Sequence, residues 1–420
     1  MVDGAAPTAP ILGPVIRAFL LLLLLGWPAI AAAQTRAAAQ IEAYREAVQR
    51  APGNAAARLD LGVALMRQGD LAGATRQLRE AIRLDPHNAF AHNYLGNALY
   101  FQKNVAGALK QHREAIRLDS SFAQAHSDLG AVLFGLRHLE GAIRAYRRAL
   151  RLDPATARTH YNLGMALEMK GEGAEAVHHY RQAVGRDSSH VASRLHLATL
   201  LAELGDLDGA LVEYRVLLRL DPGNADAHNN CGFALFLKRD FDGALGAYRE
   251  AIRLDPGHDR AHMNLGRALV EKGDLDGAIE AYRRAMAIDP RRSIIPYHLG
   301  LALKEQGDYQ AAIDAFGQAV LLDRTNAEAY NSLGATLYEE GAVTEAVAAY
   351  KLAIQAKPAF ASPRQGLAAI LTEQGDREGA LHQYREILRI GDDYYLQAVA
   401  KKMIRAMGED PEELEKPAEP

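Results

Sequence analysis

The stretch from Ala261 to Pro290 reads AHMNLGRALVEKGDLDGAIEAYRRAMAIDP, and its pattern recurs every 34 residues in both directions. Leu265 and Leu269 stand four residues apart in its first half, and Ala278 and Tyr282 stand four apart in its second half. Residues four apart lie on the same face of an α-helix. The stretch therefore predicts two short helices, each with one packing face, separated by the Gly-Asp pair near its middle.

Ten copies of this unit align without an insertion or a deletion. The first-helix anchor recurs as Leu61, Leu95, Leu129, Leu163, Leu197, Cys231, Leu265, Leu299, Leu333 and Leu367, and Gly follows it in eight units. The second-helix alanine recurs as Ala74, Ala108, Ala142, Ala176, Ala210, Ala244, Ala278, Ala312, Ala346 and Ala380. Tyr or Phe follows four residues later in eight units. This mixture of small and aromatic side chains is typical of a tightly packed helix face.

This unit resembles the tetratricopeptide repeat, a 34-residue helix–turn–helix. The resemblance implies an all-α fold, a right-handed α-solenoid of about ten units with first helices on the concave face and second helices on the convex face. The units span residues 55–88, 89–122, 123–156, 157–190, 191–224, 225–258, 259–292, 293–326, 327–360 and 361–394. The sequence departs from the family where His replaces the early Trp, as in His92, and where Ser120, Ser188 and Arg324 replace the closing Pro.

Residues 1–33 precede the repeats and have the pattern of a secretory signal peptide. Arg17 is followed by an apolar run from Leu20 to Leu25 and by small residues that end at Ala33. This order of charge, apolar core and small residues predicts export with cleavage after Ala33, into the periplasm if the protein is bacterial. The alternative is an uncleaved membrane anchor formed by residues 11–33, although its apolar part is shorter than the roughly 20 residues of a spanning helix.

Three further segments flank the repeats. Residues 34–54 resemble a second helix alone, which predicts an N-terminal half-repeat that caps the stack. Residues 395–408 predict a C-terminal capping helix with a charged outer face. Residues 409–420 are acidic and contain three prolines, which predicts a disordered tail.

The charge pattern and the motif content argue against several function classes. The formal charge is −4 and the tail carries −5, so the repeats together are close to neutral, with no nucleic-acid footprint. The sequence has no catalytic motif, and the repeats leave no segment long enough for a catalytic domain. We therefore expect no enzymatic activity, no catalytic residue and no cofactor. Cys231 takes a leucine position and is expected to be a buried apolar residue.

Histidine recurs in one register of the first helices. The five positions are His92, His126, His160, His228 and His262. A metal site needs several ligands within a few ångströms, but one His per unit gives a spacing of roughly 10 Å, the diameter of a helix. We therefore expect these side chains to pack between helices and predict no metal site.

The position before the anchor leucine is the strongest candidate for function. Asn162, Asn230 and Asn264 occupy it in three units, with the surrounding phrase AH-x-NLG-x-AL. This resembles the repeat arrays of O-linked N-acetylglucosamine transferases, where an Asn ladder holds the backbone of an extended peptide. No transferase domain follows here, and His196 and His298 interrupt the ladder. Simple solvation of a helix face remains the alternative for these Asn residues.

The same family geometry predicts further exposed side chains in the concave groove. With the ladder, the candidate binding residues are Asn93, Asn97, Tyr100, Phe101, Phe134, Tyr161, Asn162, Asn229, Asn230, Phe236, Asn264, Tyr297, Asn331 and Tyr338. Exposed aromatic and amide side chains are suited to protein recognition. The sequence thus predicts a scaffold that binds an extended segment of a partner protein in its concave groove.

Two alternatives to groove binding remain open. One is an assembly factor for an envelope complex, in secretion or polysaccharide export, that acts through its convex face or its ends. The other is an accessory subunit that presents substrates to a separate enzyme. Self-association through the ends of the array is compatible with either.

Overall fold

The computed structural model describes residues 36, 38–391 and 393–411. These residues form two compact units that divide between Ser193 and Arg194. The predicted signal peptide or anchor, residues 1–33, lies outside the described residues. So do residues 412–420, which make up most of the predicted tail.

The first unit consists of consecutive helix pairs preceded by a single helix. Its helices are α1 (38–50), α2 (Ala55–Gln68), α3 (Leu71–Leu84), α4 (Ala89–Phe101), α5 (Val105–Leu118), α6 (Ala123–Gly135), α7 (Leu139–Leu152), α8 (Ala157–Lys170) and α9 (Gly173–Arg186). The next helix, α10 (Val191–Glu203), begins at the end of this unit and belongs mostly to the second.

The second unit continues the same alternation. Its helices after α10 are α11 (Leu207–Leu220), α12 (Ala225–Leu237), α13 (Phe241–Leu254), α14 (Asp259–Glu271), α15 (Leu275–Ile288), α16 (Ile294–Gln306), α17 (Tyr309–Leu322), α18 (Ala327–Glu339), α19 (Val343–Ala356), α20 (Ala361–Glu373), α21 (Arg377–Ile390) and α22 (Tyr394–Ala406). Even-numbered helices from α2 to α20 are the first helices of their repeats, and odd-numbered helices from α3 to α21 are the second helices.

Each first helix is joined to its second helix by a short turn with a recurrent structure. In the first repeat, Gly69 has φ +91°, in the left-handed region that Gly adopts without steric cost. Asp70 then caps α3, and its Oδ1 accepts a hydrogen bond of 2.8 Å from the backbone N–H of Gly73. Lys103, Arg137 and Arg239 take the place of the glycine in three repeats, at φ 60–63°. The predicted turn between the two helices is therefore present in these three repeats as well. The three basic residues bear a steric cost in the left-handed region, which Gly does not.

The core of each repeat is built from the small and aromatic stripe that the sequence predicts. All ten second-helix alanines, from Ala74 to Ala380, have no exposed surface. The aromatic ring packs over the glycine of the first helix, so a Cβ added to Gly266 would lie 2.7 Å from the Tyr282 ring. The absence of a side chain at Gly266 is therefore what allows α14 and α15 to approach each other.

In five repeats, the recurring histidine joins the start of the first helix to the turn before it. In His92, His160, His228 and His262, Nε2 lies 3.1–3.2 Å from the carbonyl oxygen of the proline six residues earlier. His126 makes the same contact with the carbonyl of Ser120 at 3.2 Å. The five histidines thus have a repeated structural role, with one such contact in each of five repeats.

The two ends of the described chain are packed. Ile41 of α1 is only 4% exposed and lies in the core of the first unit. At the other end, Glu409 pairs with Arg385, and Pro411 is buried. The predicted tail therefore begins with residues that are held against the second unit.

The prediction of an all-α tetratricopeptide-type solenoid of about ten repeats is confirmed. Ten helix pairs follow one another in the described residues, and these residues contain no β-strand. In the same residues, every helix is too short or too polar to cross a bilayer.

Candidate functional site

Successive first helices contact each other directly within each unit. In the first unit these contacts join α2 to α4, α4 to α6 and α6 to α8, and in the second unit they join α12, α14, α16, α18 and α20 in order. We call the side of these helices where those contacts occur the first-helix face. All fourteen candidate binding residues lie on first helices.

In the first unit, the first-helix face is organised around one carboxylate. Oδ2 of Asp128 accepts hydrogen bonds from Nδ2 of Asn93 at 2.8 Å and from Nδ2 of Asn97 at 3.0 Å. Its Oδ1 accepts a hydrogen bond of 2.6 Å from Gln124 and lies 3.5 Å from Arg158. The Asp128 side chain is only 12% exposed. Because hydrogen bonds to a charged acceptor are about twice as strong as neutral ones, this cluster is firmly closed.

Asn93 is held on its other side by a buried histidine. Nδ1 of His112 lies 2.8 Å from Oδ1 of Asn93, and burial lowers the pKa of His112, so a neutral ring donates from Nδ1. Asn93 is therefore 1% exposed. The expectation that Asn93 is exposed in the groove is wrong, because residues 19 and 35 positions away satisfy its amide.

In the second unit, the first-helix face is organised around amides. Nδ2 of Asn264 on α14 donates to Oδ1 of Asn229 on α12 at 3.0 Å, and Nδ2 of Asn229 donates to Oδ1 of Asn230 at 3.1 Å. Asn229 is 4% exposed and Asn264 is 8% exposed, while Asn230 is half-buried. The expected exposure of Asn229 is also wrong, because the next repeat supplies its partner. We call these three residues the amide chain.

The remaining candidates of the first unit are placed as follows. Phe101 is the most open, at 64% exposed. Tyr100 is half-buried, and its hydroxyl lies against Gly135 in the next first helix. Phe134 and Asn162 are half-buried, and Tyr161 packs against the Tyr180 ring with centroids 6.0 Å apart.

The remaining candidates of the second unit also lie at helix contacts. The Phe236 ring lies beneath the Arg267 guanidinium, 5.1 Å from its centroid. The hydroxyl of Tyr338 donates to Glu373 at 2.5 Å, which links α18 to α20. Tyr297 and Asn331 are half-buried.

Sequence reasoning missed two features of the first helices of the second unit. One is a set of exposed apolar side chains, in which Phe233, Leu237 and Leu301 are 36%, 46% and 37% exposed. The other is a row of exposed carboxylates in the last turns of five first helices, at Glu203, Glu271, Glu305, Glu339 and Glu373. Their spacing in multiples of 34 residues was the signal that could have revealed the row. The first unit has no such row, since the equivalent residues are Arg67, Phe101, Gly135 and Met169.

Among the described residues, we find no candidate site for metal binding or for thiol chemistry. In the described part of the chain, no three His, Cys, Asp or Glu side chains are close enough to hold a metal ion. Cys231 is buried, and burial raises the pKa of its thiol, so the sulfur is protonated at neutral pH. Burial also lowers the pKa of His298, to about 4, which leaves that ring neutral.

Comparison with known families identifies the repeats. Three family models match. One tetratricopeptide-repeat model matches residues 23–88, 59–123 and 234–293, and a second matches residues 157–190 and 327–360. A TPR-repeat model matches residues 138–171, 198–239 and 300–341. Together they cover most of the chain. A search of curated proteins finds no match.

Several solved structures are similar to parts of the chain. YrrB, described as a TPR protein with an unusual peptide-binding site, is 28% identical over 44% of this chain and 95% of its own, with a TM-score of 0.41. MamA is 30% identical over 38% of this chain and 94% of its own, with a TM-score of 0.37. Yeast Tom70 is 14% identical over 89% of this chain and 93% of its own, with a TM-score of 0.46.

The repeat pattern, the helix pairs and the family models agree with one another. Solenoids of this kind use extended surfaces made by successive repeats to bind other proteins. The chain is accordingly a protein-interaction scaffold, and it belongs to the tetratricopeptide-repeat family.

Proposed function

We propose that the chain binds an extended, basic segment of a partner protein along the first-helix face of the second unit. The observation that carries this proposal is the amide chain of Asn229, Asn230 and Asn264, which crosses from α12 to α14. Each side-chain amide has two N–H donors and an oxygen with two lone pairs. The bonds within the chain, together with a side-chain hydrogen bond between Asn230 and Tyr214, use only part of this capacity, so a peptide backbone can add to the half-buried Asn230 whatever its sequence.

The exposed apolar side chains beside the amide chain support the same proposal. Phe233 and Leu237 follow Asn230 on α12, and Leu301 occupies the Phe233 position two repeats later. Covering apolar surface contributes about 25 cal/mol per Å². A segment held at its backbone by amides would gain most of its affinity from these contacts.

The carboxylate row defines the charge of the partner. Glu271, Glu339 and Glu373 each end a first helix, where the helix dipole disfavours negative charge. Lys304 offsets Glu339 at 2.9 Å, and Tyr338 donates to Glu373. A basic partner segment would offset the remaining unfavourable interaction between these carboxylates and the helix dipoles. Since repeats are spaced by roughly 10 Å and an extended chain rises about 3.3 Å per residue, the segment would place a basic side chain about every third residue.

Binding of a designed peptide tests the proposal. The probe is a fluorescein-labelled peptide of four Lys-Val-Ser triplets, measured by fluorescence anisotropy at 0.15 M salt. We expect the double variant Asn230→Ala, Asn264→Ala and the double variant Glu271→Gln, Glu305→Gln each to weaken binding at least tenfold. The matched control, Asp314→Asn with Glu345→Gln, removes two exposed carboxylates from second helices and should leave affinity within twofold.

Each result has a definite meaning for the proposal. Equal losses in the control and in the carboxylate variant would mean that only long-range charge attracts the peptide. Unchanged affinity in the Asn double variant would remove the amide chain from the site. Adding Asn162→Ala then asks whether the predicted ladder extends to the first unit.

We also propose that the protein is exported. The proposal rests on the charge, apolar run and small residues of 1–33 in the sequence. N-terminal sequencing of protein from the cell envelope should begin at Gln34. Retention of Met1 would instead support the anchor formed by residues 11–33.

A further inference from the structure

An open cavity of 430 Å³ lies among α5, α6 and α7 in the first unit. Its apolar floor is formed by Ile116, Leu129 and Leu133, all of them half-buried. Its rim is formed by the side chains of Arg113, His126, His138, Arg144 and Arg148. No acidic residue is among those that line it. The arginines belong to second helices, so this cavity is separate from the first-helix face.

The cavity lies where a recurrent contact between the two helices of a repeat is missing. In five repeats, a polar side chain early in the first helix bonds to the residue 19 positions later, as in His92–Gln111 at 2.7 Å and Arg364–Gln383 at 3.1 Å. The residue 19 positions after His126 is Ala145, and Ala also takes this position in four other repeats; its methyl group cannot make such a contact. Leu129 and Leu133 are half-buried, whereas their counterparts in the next repeat, at 163 and 167, have no exposed surface.

A charge reversal in the same repeat makes the rim basic. Four other second helices carry a Glu–Arg pair three residues apart: Glu80–Arg83, Glu114–Arg117, Glu250–Arg253 and Glu386–Arg389, at 2.6–2.9 Å. In α7 the position of that glutamate is taken by Arg148, so Arg148 and Arg151 stand three residues apart with like charge. Like charges at this spacing repel each other.

Among the described residues, none of the rim arginines forms a close ion pair with a carboxylate. Glu140, one turn before Arg144, pairs instead with Lys170 at 2.7 Å. Glu175 pairs with Arg147 at 2.7 Å, outside the cavity. Guanidinium groups bind carboxylates with two parallel hydrogen bonds, so an anionic ligand would relieve the repulsion on the rim. His126 is partly buried, and burial lowers its pKa, so the positive charge on the rim comes from the arginines.

We propose that this cavity binds an acidic segment of a partner protein in which one branched apolar side chain is flanked by carboxylates. The apolar side chain fills the floor between Ile116 and Leu133. The flanking carboxylates bind Arg144 and Arg148 on one side and Arg113 on the other. The volume is in the range of sites that hold a small ligand or a few side chains. Because the cavity is open, the backbone of the segment can enter and leave without unfolding either helix.

The test uses the full chain and a defined acidic peptide. The probe is a fluorescein-labelled Ser-Gly-Glu-Glu-Leu-Glu-Gly-Ser, measured by fluorescence anisotropy at 0.15 M salt, where the Debye length is about 8 Å. The double variant Arg144→Glu, Arg148→Glu should weaken binding at least tenfold. The control variant Arg76→Glu, Arg79→Glu makes the same change of charge on α3, outside the cavity, and should weaken binding less than twofold.

Two altered probes separate the floor from the rim. Replacing the leucine of the peptide by alanine should weaken binding at least fivefold, and replacing its glutamates by glutamines should abolish it. Arg148→Glu alone restores the Glu–Arg spacing of four other repeats, so this variant should fold and still lose affinity. Its circular dichroism spectrum should match that of the unaltered chain.

Several outcomes would overturn the proposal. Absence of binding by the acidic peptide would remove the site, and equal losses in both double variants would reduce it to nonspecific attraction. Unchanged affinity for the alanine peptide would remove the apolar floor from the site. Light scattering tests for self-association of the chain. Self-association that Arg148→Glu abolishes would identify a second copy of this chain as the occupant and exclude a different partner.

Discussion

In the first unit, Asn93 and Asn97 donate to the carboxylate of Asp128, whereas in the second unit Asn229, Asn230 and Asn264 bond to one another. The first arrangement is closed by a charge, and the second is a chain of neutral groups. A ligand that competes for Asn93 would have to leave a largely buried carboxylate without its donors, which is costly. The same residue type on the same scaffold is therefore a structural element in one unit and a candidate binding element in the other.

The two units also differ in net charge. Residues 36–193 carry 21 Lys and Arg against 15 Asp and Glu, or +6, and residues 194–411 carry 25 against 32, or −7. The near-neutral total predicted for the repeats is an average that hides this difference. Because the two units carry net charges of opposite sign, the first favours acidic partners and the second favours basic ones. The two proposed sites therefore need not compete for one ligand.

The largest expected effect compares the two polar clusters directly. Asp128→Ala should lower the stability of the first unit by about 2–3 kcal/mol, because it leaves the buried amide of Asn93 without its acceptor. Asn264→Ala should cost the second unit only about 1 kcal/mol, since one neutral hydrogen bond is lost. Hydrogen exchange followed by mass spectrometry measures opening separately in α4–α6 and in α12–α14. Equal effects in the two units would contradict the distinction between a charged and a neutral cluster.

A second experiment asks whether the helix packing is the same despite the different charges. Ala142→Leu in the first unit and Ala278→Leu in the second both enlarge a side chain with no exposed surface. Overpacking of this kind costs about 1–3 kcal/mol, and the two variants should lose equal amounts. Urea unfolding followed by circular dichroism gives the loss for each. Unchanged curves would contradict the assigned repeat register, and unequal losses would show that the two cores differ.

The smallest expected effect concerns acid sensitivity. Burial, together with the nearby His160 and His178, lowers the pKa of His179 in the first unit to about 4. Its charged form is thus disfavoured in the folded state but not in the unfolded state, where the pKa is about 6.5. The stability contributed by neutral His179 is complete above pH 6.5 and is lost as the pH falls towards 4. Glu175 and Arg147 also face this ring; Glu175 raises the pKa of His179 and Arg147 lowers it.

His179→Gln isolates this contribution. The variant recreates the His–Gln pair of His92 and Gln111, so His160 keeps a partner. The urea midpoint of the variant should fall less between pH 6.5 and 4 than that of the unaltered chain. In the last repeat of the second unit, the same two positions carry Arg364 and Gln383, which do not titrate in this range. An identical slope for both proteins would exclude His179 as a source of acid sensitivity.

The fold could be predicted from the sequence because its determinants are local and repeated. Leu265, Ala278 and Tyr282 each recur at a 34-residue period, and every copy specifies the same helix pair. The exposure of Asn93 and Asn229 could not be predicted in this way. Their burial depends on Asp128 and Asn264, each 35 residues later, in the next repeat. Which side chain supplies the acceptor is a property of a pair of repeats and does not follow from the pattern of one.

Two features that sequence reasoning missed, the carboxylate row and the basic rim of the cavity, were nevertheless present in the sequence. Glu271, Glu305 and Glu339 stand 34 residues apart, but the whole-chain charge gave no reason to look for a row. Likewise, Arg148 stands where four other second helices carry the glutamate of a Glu–Arg pair. Comparing each repeat with the others, position by position, identifies such exceptions better than comparing the chain with an average protein.

The pairing of each helix only with its near neighbours in the chain has a consequence for how the protein forms. Within each unit, the contacts between helices join elements one or two places apart in sequence. Chains dominated by such short separations along the sequence close small loops and fold rapidly. A repeat can therefore assemble as soon as it and the preceding repeat are available, before the rest of the polypeptide has been synthesised.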